Sequence, residues 1–595
     1  MKFIMFKQLL KTKIFFFILL VSAVFLIYAK TISFGFTELD DDTLVSSNIH
    51  YISNIANIPK HFTTDCYYIH DFQYYRPVLS LSFSIEAILF GNNTKIYHIS
   101  NIILFISAIF LMYCLLEKLR FNRSIVKTIC ILMAVHPIFT SCAVWIPARN
   151  DTLLLIFLML SLINFTDYLV KNNTKDLVLY VLFFTAALFT KETTIILIPL
   201  YIMFVFCFNL KISKEKTLKI LSILIPVLSG YFILRSIAVL PVDIREYFVN
   251  GHIYGANIIK GMMVYIDKFF EPGYIPVMLY EIVLDFKIMA VNIFVCGLLF
   301  FLYWKNIINR KIILFGIAWF VVCLFPTFLT QDYLFLTHRV IISSFGIIMI
   351  LSLMTEKLLL KYPHIKKYLT VFCIIAALIF SCFSYTESDK YKNADVFWTN
   401  AYVDAKQYHV VYFTLAKRYL LYKDYKAAKQ MIEKAMALRV NVTYLIEFVR
   451  ISFLINQNLE EAENNYLKIS EKAEGKSFSC FFELSKIYYF KKDIKKAVEY
   501  AQKAVSLREN DILCLENLAK LYAINGEYQK AVDTSLKLAD INKDNREYYY
   551  YNISLLYKDL NNIRQSLNYI RKAVKISPYN LEYAKVLNSL IQQQK

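Results

Sequence analysis

Residues 144–169 read VWIPARNDTLLLIFLMLSLINFTDYL. From Thr152 the stretch is almost unbroken apolar side chain, and as a helix rising 1.5 Å per residue it approaches the ~30 Å thickness of a bilayer core. Just before it stand Arg149 and Asp151, ionisable groups that are costly at such depth unless they are paired or used. One segment thus combines a membrane span with a charged mouth.

Outward from it, apolar stretches of comparable character fall near 14–29, 98–116, 125–145, 177–190, 193–208, 218–236, 286–304, 311–329, 340–356 and 368–384. That makes about eleven spans, the fifth and sixth short and meeting at Lys191-Glu192. Composition agrees: 57% of the 595 residues are hydrophobic and 19% charged, which excludes an ordinary soluble enzyme and a disordered chain. The first span has basic flanks and no small-residue cleavage site near Tyr28-Ala29-Lys30, so a retained signal anchor is expected.

The formal charge of +20 asks where the cations lie. From Tyr385 onward there are about 33 Lys/Arg against 25 Asp/Glu, and before it about 33 against 21. In the first part they gather in alternate loops, such as Lys118/Arg120/Arg123/Lys127, Lys171/Lys175, Lys211/Lys214/Lys216/Lys219 and Lys357/Lys361/Lys366/Lys367. Basic loops stay on the cytoplasmic side, so the N-terminus is expected inside and, after an odd number of spans, the C-terminus outside. The charge reports topology, and nucleic acid is not expected as a partner.

From His409 onward the pattern becomes amphipathic helix with a period of about 34 residues. Leu415, Val449, Leu484, Leu518 and Ile553 share one position, followed by Ala416, Arg450, Ser485, Ala519 and Ser554. Ala428, Ala462, Ala497, Ala531 and Ser566 recur at a second, with Tyr419, Phe453, Tyr488, Tyr522 and Tyr557 as fillers between close-packed antiparallel helices. This is the tetratricopeptide pattern. The fold class expected is all-α: a polytopic membrane bundle over 1–384, a connector over 385–408 docked through Phe397 and Trp398, five repeats over 409–580, and a capping helix over 581–595. Lys417, Lys486 and Lys520 occupy one repeat position on the concave face and form a candidate basic ladder for an acidic or phosphate-bearing partner, although exposed helix lysines are also ordinary.

The unusual polar residues of the membrane half fall on one side. Asp40-Asp41-Asp42 follows the first span, then Tyr75-Arg76-Pro77. His136-Pro137, Trp145, Arg149 and Asp151 surround the third and fourth spans, Lys191-Glu192 ends the fifth, and His338-Arg339 opens the tenth. Cations there suit a lipid-linked phosphate, and a carboxylate suits removal of a proton from an acceptor hydroxyl as the sugar is displaced. That chemistry calls for no metal or cofactor, because the lipid phosphate is the leaving group. Each residue has a structural reading too: Asp40 to Asp42 as a solvated loop or cap, His136 satisfied at a proline kink, Arg149 with Asp151 as a salt bridge at a helix start, Lys191-Glu192 as an ion pair at a junction. No Walker-type loop, GxSxG elbow, HExxH or zinc-spaced cysteine pair occurs.

The order Asp41-Asp42, Tyr75-Arg76-Pro77-Val78, Tyr97-His98 with Asn101, His136-Pro137-Ile138, Val144-Trp145-Ile146 with Arg149 and Asp151, and Thr190-Lys191-Glu192 resembles the transmembrane and tetratricopeptide-repeat-containing O-mannosyltransferases and their bacterial relatives. Phe315-Gly316, Trp319, Phe325-Pro326-Thr327, Arg339 and Phe345-Gly346 continue it. The resemblance implies a GT-C fold, an extracytoplasmic active site and a polyprenyl-phosphate sugar donor. By position, Asp41 or Asp42 would be the catalytic carboxylate, with Asp40 also eligible. Arg76, Arg149, Lys191 and Arg339 would contact donor phosphate or sugar, and His136, Asp151 and Glu192 would organise the pocket. Ser141 stands where relatives often carry Glu, and His338 where an acidic residue commonly precedes the arginine.

The reading that follows is an inverting glycosyltransferase in a membrane, by composition a bacterial cytoplasmic one, whose repeats present a protein or glycan acceptor. The rival is a non-enzymatic membrane-anchored scaffold whose repeats assemble envelope complexes. A secondary transporter would require polar groups at the midplane and inverted repeats, and neither is visible.

Overall fold

The computed structural model describes residues 2–68, 74–239, 251–280, 284–328, 335–542 and 545–594. The chain divides into two compact units, Met1–Gln407 and Tyr408–Lys595. Among the described residues both are helical and contain no strand beyond one isolated bridge, Leu279 with Phe335.

The first unit contains α1 (Lys2–Tyr28), α2 (Pro77–Phe90), α3 (Thr94–Lys118), α4 (Arg123–Ala134), α5 (Thr140–Val144), α6 (Arg149–Lys171), α7 (Thr174–Thr190), α8 (Ile198–Cys207), α9 (Lys214–Ala238), α10 (Gly251–Phe270), α11 (Phe286–Trp304), α12 (Arg310–Leu324), α13 (Val340–Lys361), α14 (Lys366–Ser388) and α15 (Ala394–Asp404). Starts are set by side-chain oxygens that accept otherwise orphaned amide groups: Asn93, Asn122, Asn173, Ser213, Asp285 and Asn309 each cap the helix that follows. Pro137 divides the third expected span into α4 and a short continuation bent by 62°.

Eight helical segments among the described residues are long and apolar enough to cross a bilayer, nine if that bent pair is one span. The apolar stretches of the sequence predict about eleven. The difference lies at the fifth and sixth, because α7 has only 17 residues and Glu192–Cys207 follows as a separate short apolar segment. At 1.5 Å per residue each falls about 5 Å short of a ~30 Å core. The segment around α6 is the most enclosed, with 72% of its apolar window buried, against 6% for that of α14. So α6 is the hub of the bundle and α14 faces lipid. α12 and α13 meet backbone to backbone at Gly316 and Gly346, where an added Cβ on either would overlap the partner glycine. That contact, with Trp319 Nε1 donating to the Ile342 carbonyl at 2.8 Å, fixes the start of α13.

α15 belongs to this unit, so the compact division falls after Gln407. Trp398 Nε1 on α15 donates to the Thr37 carbonyl at 3.0 Å, and Phe397 stacks on Trp145 at 6.4 Å, which docks the connector beneath the first loop.

The second unit is five antiparallel helix pairs and a last helix: α16 and α17 (His409–Leu421, Tyr425–Leu438), α18 and α19 (Val442–Asn456, Leu459–Lys472), α20 and α21 (Phe478–Phe490, Ile494–Leu507), α22 and α23 (Ile512–Ile524, Tyr528–Ile541), α24 and α25 (Arg546–Asp559, Ile563–Ile576), and α26 (Leu581–Gln594). Ala428, Ala462, Ala497, Ala531 and Ser566 are buried where the helices of a pair approach. In the fifth pair the hydroxyls of Ser554 and Ser566 bond reciprocally to each other's backbone carbonyls at 2.9 and 2.8 Å, which satisfies two buried polar groups where the helices approach. Arg450 escapes its small slot by turning outward to Glu447 at 3.6 Å.

Candidate active site

The loop after α1 is shaped by Asp41. Its buried carboxylate accepts from Thr37 N at 2.7 Å, Thr37 Oγ1 at 3.0 Å and Leu39 N at 3.1 Å, folding the turn onto itself. Trp145 Nε1 holds the same turn through Thr37 Oγ1 at 3.0 Å. Burial pushes the Asp41 carboxyl up to about 6, against the pull of the Thr37 and Leu39 donors. Asp42 Oδ1 accepts from the Ser46 and Ser47 hydroxyls at 2.7 and 2.6 Å. Asp40 is part-buried and lies in electrostatic range of the Arg76 and Arg339 guanidinium groups and of the neighbouring Asp41 carboxylate. Burial raises its carboxyl above the ordinary range, and the two arginines oppose that rise.

Arg76 precedes Pro77, which bars it from the helix that begins there and leaves the side chain free to reach across. It makes a two-pronged contact with Glu192 at 3.2 Å on both oxygens and lies over the Tyr74 ring at 4.4 Å. With the Asn150 amide turned to satisfy its neighbours, that side chain accepts from Arg76 Nη1 at 3.0 Å and donates to the Thr190 carbonyl at 3.0 Å. At Lys191 the backbone becomes extended (φ −155°, ψ 129°), breaking the chain between α7 and the turn Glu192–Leu197. Lys191 Nζ meets Asp151 Oδ1 at 2.7 Å, and Asp151 Oδ2 lies 3.5 Å from His338 Nε2. Arg339, next in the chain, lies in electrostatic range of Asp40, Asp151 and Lys191.

Three cations (Arg76, Lys191, Arg339) and three carboxylates (Asp40, Asp151, Glu192) therefore meet at one end of the bundle, brought there by the starts of α2, α6 and α13 and the end of α7. Neighbouring residues of α6 serve the two halves of the cluster: Asn150 bonds Arg76, and Asp151 meets Lys191 and His338.

Two of the expected site residues are spent elsewhere. Arg149 is buried, with Nε on Asn101 Oδ1 at 2.8 Å, Nη2 on the Tyr97 carbonyl at 3.1 Å, Nη1 beside Glu86 at 2.9 Å and its plane over Phe83 at 4.5 Å. A guanidinium so enclosed is a strut between α2, α3 and α6. His136 Nδ1 accepts from Ile138 N at 3.2 Å, capping the turn after the kink, so Nε2 carries the proton donated to the Phe269 carbonyl at 3.0 Å. Both of its ring nitrogens thus meet backbone groups. Glu86, Asn150 and Thr37 were not singled out from sequence. A lone carboxylate inside the apolar helix PVLSLSFSIEAILF was the signal that would have found Glu86. Ser141, where relatives often carry Glu, bonds the Thr337 hydroxyl at 2.8 Å and so braces the turn that carries His338.

In the second unit, Lys417, Lys486 and Lys520 all lie on first helices of their pairs. Lys486 is paired with Glu483 at 3.0 Å, Lys417 stands over Phe413 at 5.9 Å and Lys520 over Tyr489 at 5.0 Å.

Residues 76–232 match the dolichyl-phosphate-mannose-protein mannosyltransferase family, and residues 409–582 match the Iml2/tetratricopeptide repeat protein 39 family. A stretch of 121 residues is 27% identical to the protein O-mannosyl-transferase Tmtc1 of Drosophila melanogaster, covering 20% of this chain and 14% of the fly protein's length. Among solved structures, YrrB, a tetratricopeptide protein with an unusual peptide-binding site, is 20% identical at a TM-score of 0.26, over 32% of this chain and 96% of that one. A thermophilic tetratricopeptide protein of Thermus thermophilus is 15% identical at 0.24, over 31% and 99%. The chain thus carries a segment similar to the mannosyltransferase family followed by one similar to a tetratricopeptide family, in keeping with its resemblance to the transmembrane and tetratricopeptide-repeat-containing O-mannosyltransferases.

Proposed function

We propose that the protein is a GT-C-type glycosyltransferase that moves a sugar from a polyprenyl phosphate to a hydroxyl of an extracytoplasmic protein or glycan, the repeats presenting that acceptor. The observation that carries this reading is the contrast among three consecutive carboxylates. Asp41 and Asp42 are occupied by their own turn, whereas Asp40 lies in electrostatic range of two arginines.

Asp40 is the general base. It takes the acceptor's hydroxyl proton as that oxygen bonds to the anomeric carbon, and the bond from that carbon to the phosphate oxygen breaks. The pair of electrons leaves on the phosphate, whose growing charge falls to Arg339, Lys191 and Arg76. Asp151 and Glu192 hold Lys191 and Arg76 in place, and His338 and Asn150 steady those carboxylate and guanidinium partners in turn. The raised carboxyl of Asp40 suits a base, because proton affinity closer to neutrality strengthens the transfer. The cluster faces the extracytoplasmic side on this reading, since the basic ends of α3, α4 and α6 lie at the opposite end of the bundle.

The test is transfer from radiolabelled polyprenyl-phosphate sugars in purified membranes. Asp40→Asn should lower the rate by about 10²- to 10⁴-fold. Asp42→Asn should retain most of it. Full activity of Asp40→Asn in correctly folded protein sinks the assignment.

A further inference from the structure

α6 carries two charged layers. Asp151 belongs to the cluster described above, and Asp167 lies sixteen residues later, about 24 Å along the helix, close to the depth of a bilayer core. Around Asp167 a second set of ionisable groups gathers that the transfer reaction does not use. Asp167 meets Lys118 at 2.5 Å and Lys171 at 2.8 Å. Glu117, only 7% exposed, meets Lys13 at 2.5 Å and Arg123 at 2.8 Å. Lys127 Nζ donates to the Thr12 carbonyl at 3.0 Å and stands near the Phe16 and Tyr113 rings. These five cations surround two carboxylates, an excess of positive charge at the end of the bundle opposite Asp40.

Between them lies a cavity of about 350 Å³, lined by Lys13, Cys114, Glu117, Lys118, Arg123 and Ile163. Its lining combines apolar Cys114 and Ile163 with cationic Lys13, Lys118 and Arg123. Each carboxylate uses only some of the donors around it, since an ammonium has three N–H groups and a guanidinium five. Glu117 and Asp167 therefore act as anchors that hold the cations in place, and donors remain for a second anion. A basic pocket between helix ends at the edge of the bilayer suits a phosphodiester whose chains continue into the membrane.

We propose that this cavity binds the phosphate of an anionic phospholipid from the leaflet opposite the charged cluster. The shared chemistry is a phosphate oxygen on Lys13, Lys118 and Arg123, with Ile163 and Cys114 against the glycerol end. A free phosphate ion offers the same oxygens without the apolar part, so the two sources can be separated.

The experiment uses the full chain, purified in neutral detergent and stripped of lipid, with thermal unfolding midpoint and native mass spectrometry as readouts. Phosphatidylglycerol should raise the midpoint and leave one retained lipid, whereas phosphatidylcholine should do neither. Lys118→Gln/Arg123→Gln should weaken apparent phosphatidylglycerol affinity at least tenfold. Because neutralising both cations can disturb folding, Ile163→Trp provides a second variant that fills the cavity and keeps every charge. It should lose the retained lipid while keeping a single sharp unfolding transition. Equal effects of the two lipids, or undiminished retention in Ile163→Trp, overturn the proposal. If inorganic phosphate alone reproduces the full shift, the lipid assignment falls. None of these readouts depends on sugar transfer, so they stand or fall apart from the proposed reaction.

Discussion

The two units hold their charges in opposite ways. In the repeat array many pairs are local: Lys486 with Glu483, Lys503 with Glu499 and Lys530 with Glu527 lie about one helical turn apart, the last two exposed to solvent. In the membrane unit several buried pairs close long stretches of chain, as with Arg76 and Glu192, Lys191 and Asp151, or Arg149 and Glu86. Solvent tolerates a charge wherever the helix puts it. A bilayer does not, so each buried charge must find a partner on another helix, and those partners converge at the helix ends.

The contrast is broken most severely by Arg149→Gln. It leaves Glu86 charged, enclosed and unpaired, and should cost about 3–5 kcal/mol, read as a fall in the thermal midpoint of the membrane unit. A cost within error would mean that Glu86 is not held by this contact. In the array the comparable weak point is steric. Ala504 is fully buried between helices, and Ala504→Leu should destabilise the repeats by about 1–3 kcal/mol while leaving transfer to a small soluble acceptor intact.

A smaller effect sharpens the role of Asp40. The base must be ionised, so the rate falls as pH drops through its raised value. Burial holds that value up and the charges of Arg76 and Arg339 oppose it. Removing one cation by Arg339→Gln lets it rise further, and the acid limb of the rate profile should move to higher pH by about one unit. A limb that stays in place would remove Asp40 from the step. The smallest change is Lys503→Ala, whose exposed pair with Glu499 should contribute no more than about 0.5 kcal/mol, fading with added salt in urea unfolding of the array.

The legibility of the two units follows the same division. The repeats are readable residue by residue because their packing recurs: an alanine at Ala497 and one at Ala531 solve the same local problem 34 residues apart. Most spans are readable from length and polarity, and the fifth and sixth form as short helices because Lys191 ends α7 early. The charged cluster is only partly readable. Arg76, Asp151, Lys191, Glu192 and Arg339 stand out as ionisable groups in apolar surroundings, and so do Arg149 and His136. Nothing in the chain order distinguishes the first set from the second, because the difference is which neighbour each side chain meets: Glu192 for Arg76, but Asn101 and Glu86 for Arg149.

Asp40, Asp41 and Asp42 show the limit most plainly. Their identity and their place after the first span are properties of the chain, as are the membrane character, the repeat period and the small residues that permit it. Which partners each of the three meets is not, since one turn folds onto Asp41, two serines close on Asp42, and Arg76 and Arg339 come within electrostatic range of Asp40. Hydrophobic pattern and periodicity are local and survive in the order of residues. The pairing of buried charge depends on long-range approach in a medium that penalises any unpaired group, and only the folded bundle decides it.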